Sequence, residues 1–415
     1  MVKMKDSGIE WIGEIPETWE KVKFNAIYSN RNTKVSDREY APLSVTKKGI
    51  VPQLATAAKT NDNDNRKLVK SGDFVINSRS DRRGSCGISS LDGSVSLINT
   101  VLEPKNSQME PLYFDFLFHT IQFADEFYKW GHGIVDDLWT TNWNDMKNIT
   151  LILPTRFEQQ LIADFLDHKT AEIDGLIDKI NTEIDTLKQY QSSVITRTVT
   201  KGLDPSVPMK DSGIEWIGEI PETWRVVRGK NILRLLNRKV QPNDEIITAF
   251  RDGQVTLRKN RRTDGFTIST KEIGYQGVRT NDLIVHAMDG FAGAIGISDS
   301  NGKASPVLNV LESNQNKKYV MYYLRVCALL GVFQALAKGI RIRTADTRWD
   351  TLRNLKYILP PKTEQQQIAD YLDKKVSQIQ IVIKSKQQQI NQLTEYKNSL
   401  IFEYVTGKKQ VKGAN

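Results

Sequence analysis

Residues 4–19 read MKDSGIEWIGEIPETW, and residues 209–224 repeat these letters without a change. An unchanged copy about half a chain length away indicates that the protein is built from two versions of one unit. Any function assigned to one half must therefore make sense for a pair.

The repeat returns at the far end of each half. The stretch LPTRFEQQLIADFLD at 153–167 corresponds to LPPKTEQQQIADYLD at 359–373. Between these flanks only landmarks match, such as Gly87 with Gly296 and Trp143 with Trp349. Matching flanks with divergent middles are expected when two copies keep one scaffold and contact different targets. The alternative is an old duplication whose middles drifted without purpose.

Composition limits the class of protein. The chain has 415 residues, of which 39% are hydrophobic, enough for two units with their own cores. No apolar run approaches the 18 or so residues that span a bilayer, and the first residues lack the apolar stretch of a signal peptide. We therefore expect a cytoplasmic protein without membrane contact. Cys86 and Cys327 are too few for a zinc site or a disulfide framework, so we interpret both as small buried hydrophobes.

The net charge of +9 is unevenly distributed. Residues 20–150 contain 17 Lys and Arg against 16 Asp and Glu, whereas residues 225–357 contain 23 against 11. A concentrated positive charge favours a polyanionic partner, because each neutralised phosphate releases counterions. Basic surfaces also serve solubility, so charge alone leaves nucleic acid as one of two interpretations.

Each variable region is predicted to be a mixed α/β globule. Short apolar runs between Gly, Asn and Asp predict strands at 74–76, 87–88 and 94–98, and at 283–285 and 295–297 in the second copy. Near-helical apolar spacing predicts one helix over 111–130 and one over 317–337. The predicted fold class is therefore α/β, with two such globules related by an internal pseudo-twofold repeat.

The last segment of each half has the heptad pattern of a coiled coil. The predicted seam residues are Ile173, Ile177, Ile180, Ile184, Leu187, Ile379, Ile383, Ile390 and Leu393, with Gln191, Lys386 and Lys397 as polar interruptions. A helix of about 40 residues would be about 60 Å long and needs a partner to cover its apolar stripe. We therefore predict that the two helices pair antiparallel and separate the globules. The predicted boundaries are 1–152, 153–205, 206–358 and 359–415, alternating globule and long helix.

Signatures of catalysis are missing from the sequence. There is no phosphate-binding G-x-x-x-x-G-K-[ST] loop, no G-x-G-x-x-G motif and no Asn-Pro-Pro or Asp-Pro-Pro of an amino-methyltransferase. The four histidines His119, His132, His168 and His286 lack metal-ligand spacing. We predict no catalytic residue, no metal ligand and no enzymatic activity for this chain.

Basic clusters in predicted turns are the candidate DNA-binding residues. Arginine suits this role because its planar fork can donate two hydrogen bonds to O6 and N7 of guanine. The candidates are Lys47, Lys48, Asn77, Arg79, Ser80, Arg82 and Arg83 in the first copy and Arg258, Lys259, Arg261, Arg262, Arg341 and Arg343 in the second. For each arginine, a phosphate contact or solvated loop charge is the alternative.

The order of these blocks resembles the specificity subunit of type I restriction-modification enzymes over essentially the whole chain. The resemblance implies that each variable region is a target recognition domain that recognises one half of a split double-stranded DNA sequence. It also implies that the helices set the gap between the half-sites and dock two methyltransferase subunits, which support restriction and translocase subunits. S-adenosylmethionine, ATP and Mg are then expected in the partner subunits, and no cofactor in this chain.

Two other classes of function compete with this interpretation. One is a coiled-coil scaffold whose globules bind proteins, and the other is an enzyme with an unfamiliar site in one globule. A duplicated enzyme should repeat its reactive residues, whereas the shared landmarks are mostly Gly, Trp and aliphatic residues.

Two further expectations concern the first globule and the repeat block. The first variable region is less basic than expected for DNA binding, so either its acids lie away from the duplex or Asn77, Ser78 and Ser80 recognise DNA by hydrogen bonding. The tryptophans of the repeat block, Trp19 and Trp224 among them, are expected to seat each globule against the end of a helix.

Overall fold

The two halves form two compact units that share both long helices. The structure, a computed structural model, describes residues 3–56, 63–79, 82–105, 109–134, 139–261, 272–336 and 347–411. Its contacts divide the chain into a first unit, Met1–Ile180 with Gln387–Asn415, and a second unit, Asn181–Lys386. Both divisions fall inside a long helix. Each unit therefore contains one globule and a segment of each long helix, whereas the sequence-based boundaries follow chain order.

In the described part of the first half, thirteen strands and four short helices precede the long helix. In order these are β1 Met4–Asp6, β2 Glu14–Pro16, β3 Glu20–Lys23, α1 Phe24–Ile27, β4 Tyr28–Asn30, β5 Lys34–Val35, β6 Leu43–Thr46, β7 Gly49–Pro52, β8 Arg66–Val69, β9 Phe74–Asn77, β10 Cys86–Ile88, β11 Gly93–Ser96, β12 Asn99–Pro104, α2 Pro111–Phe118, α3 Ile121–Lys129, α4 Trp143–Met146, β13 Thr150–Leu153 and the long helix α5 Arg156–Lys201.

Within its described residues the second half follows the same order, without counterparts of α1 and β5. Its elements are β14 Met209–Asp211, β15 Glu219–Pro221, β16 Arg225–Arg228, β17 Leu233–Leu235, β18 Ile247–Ala249, β19 Val255–Leu257, β20 Gln276–Val278, β21 Leu283–His286, β22 Ile295–Ile297, β23 Gly302–Ala304, β24 Leu308–Ser313, α6 Lys317–Leu329, α7 Val332–Ala335, α8 Trp349–Asn354, β25 Lys356–Leu359 and the long helix α9 Lys362–Val405.

Each globule is built on a four-stranded antiparallel sheet. The strand order is β10-β9-β12-β4 in the first globule and β22-β21-β24-β17 in the second, so the two sheets match strand for strand. Val101 lies opposite Val75, and Val310 lies opposite Ile284, with all four side chains fully buried. Helix α2 contacts β10, and α6 contacts β22. The prediction of two mixed α/β globules is confirmed.

Three sequence-based element predictions are wrong in detail. The single helix expected over 111–130 is two helices, because Thr120 accepts a hydrogen bond from Phe123 N (3.2 Å) and starts α3 anew. The helix expected over 317–337 likewise ends at Leu329, and α7 follows. The strand expected over 94–98 ends at Ser96, and Leu97 and Ile98 form an exposed turn. In each case an apolar pattern continues through a turn.

The two long helices begin at defined caps. Thr155 N donates to Glu158 Oε2 (3.0 Å), and Glu158 N donates to Thr155 Oγ1 (3.3 Å), so a capping box precedes α5. Helix α9 follows directly after Pro360-Pro361, and prolines are well tolerated at a helix start.

Within each unit the two helix segments run antiparallel. In the first unit the rings of Phe165 and Tyr404 lie 4.5 Å apart, near the start of α5 and the end of α9. In the second unit Gln380 Nε2 donates to Gln191 Oε1 (3.2 Å), which joins the first half of α9 to the second half of α5. The predicted pairing of two long helices is therefore present in both units.

The helix seam mixes apolar and polar contacts. Of the predicted seam residues, Ile173, Ile184 and Ile379 are buried and the others are half-buried. The polar interruptions all have partners on the other helix. Lys397 Nζ lies 2.6 Å from Asp174 Oδ2, and Lys386 Nζ lies 2.5 Å from Glu183 Oε2, while Gln191 pairs with Gln380.

Each repeat block contacts the start of one long helix and the end of the other. Trp19 Nε1 donates to Glu158 Oε1 (3.0 Å) near the start of α5, and Trp224 Nε1 donates to Glu364 Oε2 (3.0 Å) near the start of α9. Lys408 Nζ, just beyond the end of α9, donates to Ile12 O. The expectation that the block seats each globule against a helix end is confirmed.

A glycine follows each helix end at this contact. Gly202 has φ +79° and Gly407 has φ +73°, a left-handed conformation that glycine adopts without steric cost. A Cβ at Gly407 would lie 3.0 Å from Trp19 Cη2, and one at Gly202 would lie 3.3 Å from Trp224 Cζ2. Glycine therefore serves both the backbone turn and the close approach of the indole.

Candidate nucleic-acid interface

In both globules a β-hairpin lies beside one edge strand of the four-stranded sheet, β10 in the first and β22 in the second. A Cβ at Gly87 of β10 would lie 2.8 Å from the Cα of Gly49 in the β6–β7 hairpin, and one at Gly296 of β22 would lie 2.8 Å from Val255 Cγ2 in the β18–β19 hairpin. The hairpin turn and the loop that enters β10 or β22 therefore adjoin. We call this region of each globule its basic end.

The basic end of the first globule holds Arg83 in a defined position. Its guanidinium forms an ion pair with Asp125 of α3 and lies 4.7 Å from the ring centroid of Tyr128. Tyr128 in turn stacks on Trp139, with ring centroids 5.5 Å apart, and Trp139 Nε1 donates to Tyr128 O (3.0 Å). These contacts fix the arginine against a rigid aromatic pair.

The other described candidates of the first copy lie in three places: a cavity shared with Arg83, the β6–β7 turn and the segment just before β10. Asn77 Oδ1 accepts from Arg79 N (3.0 Å), and both residues line a small cavity together with Arg83 and Trp139. Lys47 and Lys48 are exposed in the β6–β7 turn. Arg82 lies in the loop that enters β10.

The basic end of the second globule is formed by the β18–β19 hairpin and the turn after it. Arg261 Nη1 lies 2.7 Å from Asp252 Oδ2 and 3.3 Å from Gln254 Oε1, with its guanidinium 4.2 Å from the ring centroid of Phe250. Arg258 Nε donates to Thr248 Oγ1 (3.3 Å). Lys259 forms an ion pair with Glu245.

Sequence analysis missed several residues at the two basic ends. Arg251 in the β18–β19 turn pairs with Asp289 (2.9 Å), and Arg325 Nη2 donates to Asp252 O (2.8 Å). Burial lowers the pKa of the Arg325 guanidinium. The Arg-Asp-Gly sequence at 251–253, a charged turn between two strand candidates, would have indicated the hairpin tip. No local signal marks Arg325, which approaches from α6.

A histidine beside this cluster is fixed in one tautomer. His286 Nδ1 accepts from Asp289 N (2.9 Å) and Met288 N (3.2 Å), so the ring carries its proton on Nε2. Burial lowers the pKa of His286, and Arg251 acts in the same direction against Asp289. Through these two hydrogen bonds the ring holds the loop whose Asp289 pairs with Arg251 of the hairpin turn.

Four predicted DNA-binding residues lie outside the described residues. These are Ser80, Arg262, Arg341 and Arg343. They remain sequence-based predictions.

The low net charge of the first globule has a partial structural explanation. Asp73 is buried and its carboxylate lies 2.7 Å from Arg31 Nε. Burial raises the pKa of Asp73, while the hydrogen bond from Arg31 opposes this shift. Asp92 pairs with Lys70 (2.8 Å). Asp73 is therefore neutralised inside the globule, whereas Asp92 is paired at the surface, where its side chain is 54% exposed. Burial of Asp73 supports, for this one acid, the first of the two explanations offered above.

Two features of the described residues bear on other classes of function. No helix there is long and apolar enough to cross a membrane. In the same residues no group of three or more His, Cys, Asp or Glu side chains is arranged to hold a metal ion.

Comparison with known proteins identifies the family. The model of the type I restriction modification DNA specificity domain matches residues 16–186 and again residues 221–393. The chain is 23% identical to the putative type I restriction enzyme MjaX specificity subunit of Methanocaldococcus jannaschii, over 97% of this chain and 96% of that protein. It is 33% identical to the type I restriction enzyme MjaVIII specificity subunit of the same organism, over 35% of this chain and 32% of the relative.

A solved structure shares the fold. It comes from work on complex assembly and conformational transition of the type I restriction-modification system, and it superposes with a TM-score of 0.68 at 13% identity. The match covers 95% of this chain and 99% of the other.

Because the family model covers most of both halves, the chain belongs to the type I restriction-modification specificity subunits. Its two globules are the DNA specificity domains, and such a subunit recognises DNA without carrying the catalytic site. The family assignment favours DNA recognition over a coiled-coil scaffold that binds only proteins.

Proposed function

We propose that each globule binds one half of a bipartite double-stranded DNA site through its basic end. The residues that would contact DNA are Lys47, Lys48, Asn77, Arg79, Arg82 and Arg83 in the first globule, and Arg258, Lys259 and Arg261 in the second, together with Ser80, Arg262, Arg341 and Arg343 outside the described residues. The paired helices would set the gap between the half-sites.

One observation carries this proposal. Two matching sheets present unlike sets of side chains at corresponding ends. In the first globule an arginine just before β10, Arg83, is held by α3, whereas in the second globule Arg261 follows the β18–β19 hairpin and is held by its turn. A shared scaffold with different contact residues is what two different half-sites require.

The complex would supply the chemistry. We propose that the helices dock two methyltransferase subunits, which support restriction and translocase subunits, and that S-adenosylmethionine, ATP and Mg bind to those partners in the cytoplasm. This chain itself would need no cofactor.

Exchange of one globule tests the assignment of half-sites. Residues 20–150 are replaced by the matching region of another family member, and methylated bases are sequenced in DNA from cells that express the complete system. We expect one half-site to change while the other half-site and the gap remain. An unchanged target sequence would contradict the proposal.

Salt dependence separates DNA binding from a protein scaffold. In filter binding, the logarithm of affinity for duplex DNA should fall steeply with the logarithm of salt concentration, because several phosphates release counterions. A slope near zero would favour the scaffold. Methylation of DNA by the purified chain alone would instead favour an enzyme.

A further inference from the structure

Both globules hold one arginine in the same chemical setting at different places in the chain. Arg83 precedes β10 and pairs with Asp125 of α3, whereas Arg261 follows β19 and pairs with Asp252 of the hairpin turn. Each guanidinium also lies on the face of an aromatic ring, Tyr128 in the first globule and Phe250 in the second. The two arginines are not at equivalent positions of the two copies, so the shared combination of carboxylate and ring is not a simple result of the duplication.

These arginines are positioned but still accessible. The side chain of Arg83 is 45% exposed and that of Arg261 is 38% exposed, and their carboxylate partners are about half exposed. Among the described residues, the hydrogen bonds of Arg83 use Nη2 and those of Arg261 use Nη1. The other guanidinium nitrogens can donate outwards while the carboxylate and the ring hold the plane in place.

An exposed arginine–carboxylate pair matches one base pair in the major groove. The edge of a G·C pair presents two acceptors, N7 and O6 of guanine, followed by a donor, N4 of cytosine. Each of these arginine–carboxylate pairs presents two donors on the guanidinium beside an acceptor on the carboxylate. An A·T pair presents an acceptor, a donor and another acceptor, which the same pair cannot satisfy.

We propose that Arg83 with Asp125, and Arg261 with Asp252, each recognise one G·C base pair, one in each half-site. The guanidinium donates to guanine N7 and O6, and the carboxylate accepts from cytosine N4. This inference rests on the proposed function, because it requires that each globule bind its own half-site.

Phosphate contact suits these two arginines less well than it suits their neighbours. An adjacent carboxylate repels a phosphate and neutralises the guanidinium, and the stacked ring restricts its movement. Lys47 and Lys48 have no ion pair within the described residues and sit in an exposed turn. These lysines are therefore assigned to the DNA backbone, which makes them controls for the arginines.

The experiment uses the complex of this chain with its methyltransferase partners. The target sequence of the unaltered complex is first mapped by sequencing methylated bases. Duplexes that carry this target are then altered one base pair at a time, and each guanine is also replaced by 7-deazaguanine, which lacks N7. We expect one position in each half-site at which G·C to A·T weakens binding by about 5- to 150-fold, with a smaller loss for 7-deazaguanine.

Conservative variants assign each position to its arginine. Arg83→Lys keeps the charge and loses the fork, so the penalties should disappear at one position of one half-site only. Arg261→Lys should do the same in the other half-site, so each variant is the control for the other. Lys48→Ala should weaken all duplexes equally and leave both penalties in place.

The outcomes separate this inference from the proposed function. A target without a G·C pair in one half-site overturns it, as does an Arg83→Lys complex that keeps every base preference. Should Arg83→Lys prevent binding, Asp125→Asn, which keeps the shape of the side chain, must still lower discrimination at the same position. If globule exchange leaves the target unchanged, the proposed function fails as well; if exchange succeeds and the arginine variants act uniformly, only this inference fails.

Discussion

Within the repeat block, two tryptophans at nearby positions differ in one hydrogen bond. Trp19 is buried and its Nε1 donates to Glu158 (3.0 Å). Trp11 lies in the same core, but its buried Nε1 has no partner within the described residues. The identical block thus contains one tryptophan that links the globule to a long helix and one that contributes packing.

Replacing each tryptophan by phenylalanine separates these contributions. Trp19→Phe should lower the free energy of unfolding of the first unit by about 1.5–3 kcal/mol more than Trp11→Phe, because only Trp19 loses a bond to a charged group. Hydrogen exchange of residues 1–180 measures the difference. Equal losses in the two variants would show that the bond to Glu158 contributes nothing.

At the candidate site, the sequence indicated which charged residues lie in turns but not which side chains they contact. Arg83 and Arg261 could be predicted because they lie in turns between strand candidates. Asp125, Tyr128 and Trp139 could not, since they reach Arg83 from α3 and beyond it through tertiary packing. No local sequence pattern shows which of several arginines will be held by both a carboxylate and an aromatic ring.

The pairing of the long helices depends on a narrow apolar stripe. Ile184 is 5% exposed and lies on this stripe, whereas Ile381 on the other helix of the same unit is 66% exposed. Lys386 and Lys397 occupy seam positions, where their ion pairs with Glu183 and Asp174 replace apolar contact. The stripe supplies stability, and the polar pairs favour one alignment of the helices.

An alanine at each isoleucine tests the seam. Ile184→Ala should destabilise the second unit by about 2–5 kcal/mol through lost burial and an unfilled cavity. Ile381→Ala makes the same chemical change on an exposed face and should stay within about 0.5 kcal/mol. Thermal unfolding monitored by circular dichroism compares them. A similar loss at Ile381 would mean that this face is covered.

The long helices were predictable and the short ones less so. A heptad stripe over some 40 residues has no competing interpretation, and a capping box fixed the start of α5. The break between α2 and α3 was not predicted, because Ile121 continues the apolar pattern and a single residue, Thr120, caps α3. Short elements depend on such single caps.

Each unit is completed by the end of the other half's helix. Tyr113 Oη in the first globule donates to Val405 O (2.8 Å), at the end of α9. Tyr319 Oη in the second globule donates to Val199 O (3.3 Å), near the end of α5. Both valines are fully buried. Each globule therefore packs against the end of the long helix that belongs to the other half of the chain. In the sequence only the position of the repeat block, just after the first long helix, indicated this arrangement.

A substitution at the end of one long helix should therefore destabilise the globule of the other half. Val405→Ala should destabilise residues 1–180 by about 2 kcal/mol, although Tyr113, which contacts Val405, lies 292 positions earlier in the sequence. Val199→Ala should destabilise the second unit by a similar amount. Hydrogen exchange by mass spectrometry on both variants measures the two units separately. Loss of protection in the same unit for both variants would contradict the division into units.

The division also sets an order of events on the ribosome. The second unit is contiguous, whereas the first lacks residues 387–415 until residues 181–386 have been synthesised. At about 5–20 residues per second, that interval is roughly 10–40 s. The globule that is synthesised first is thus the last to complete its unit. Until Val405 arrives, the apolar site that it fills stays accessible to chaperones and to other nascent chains.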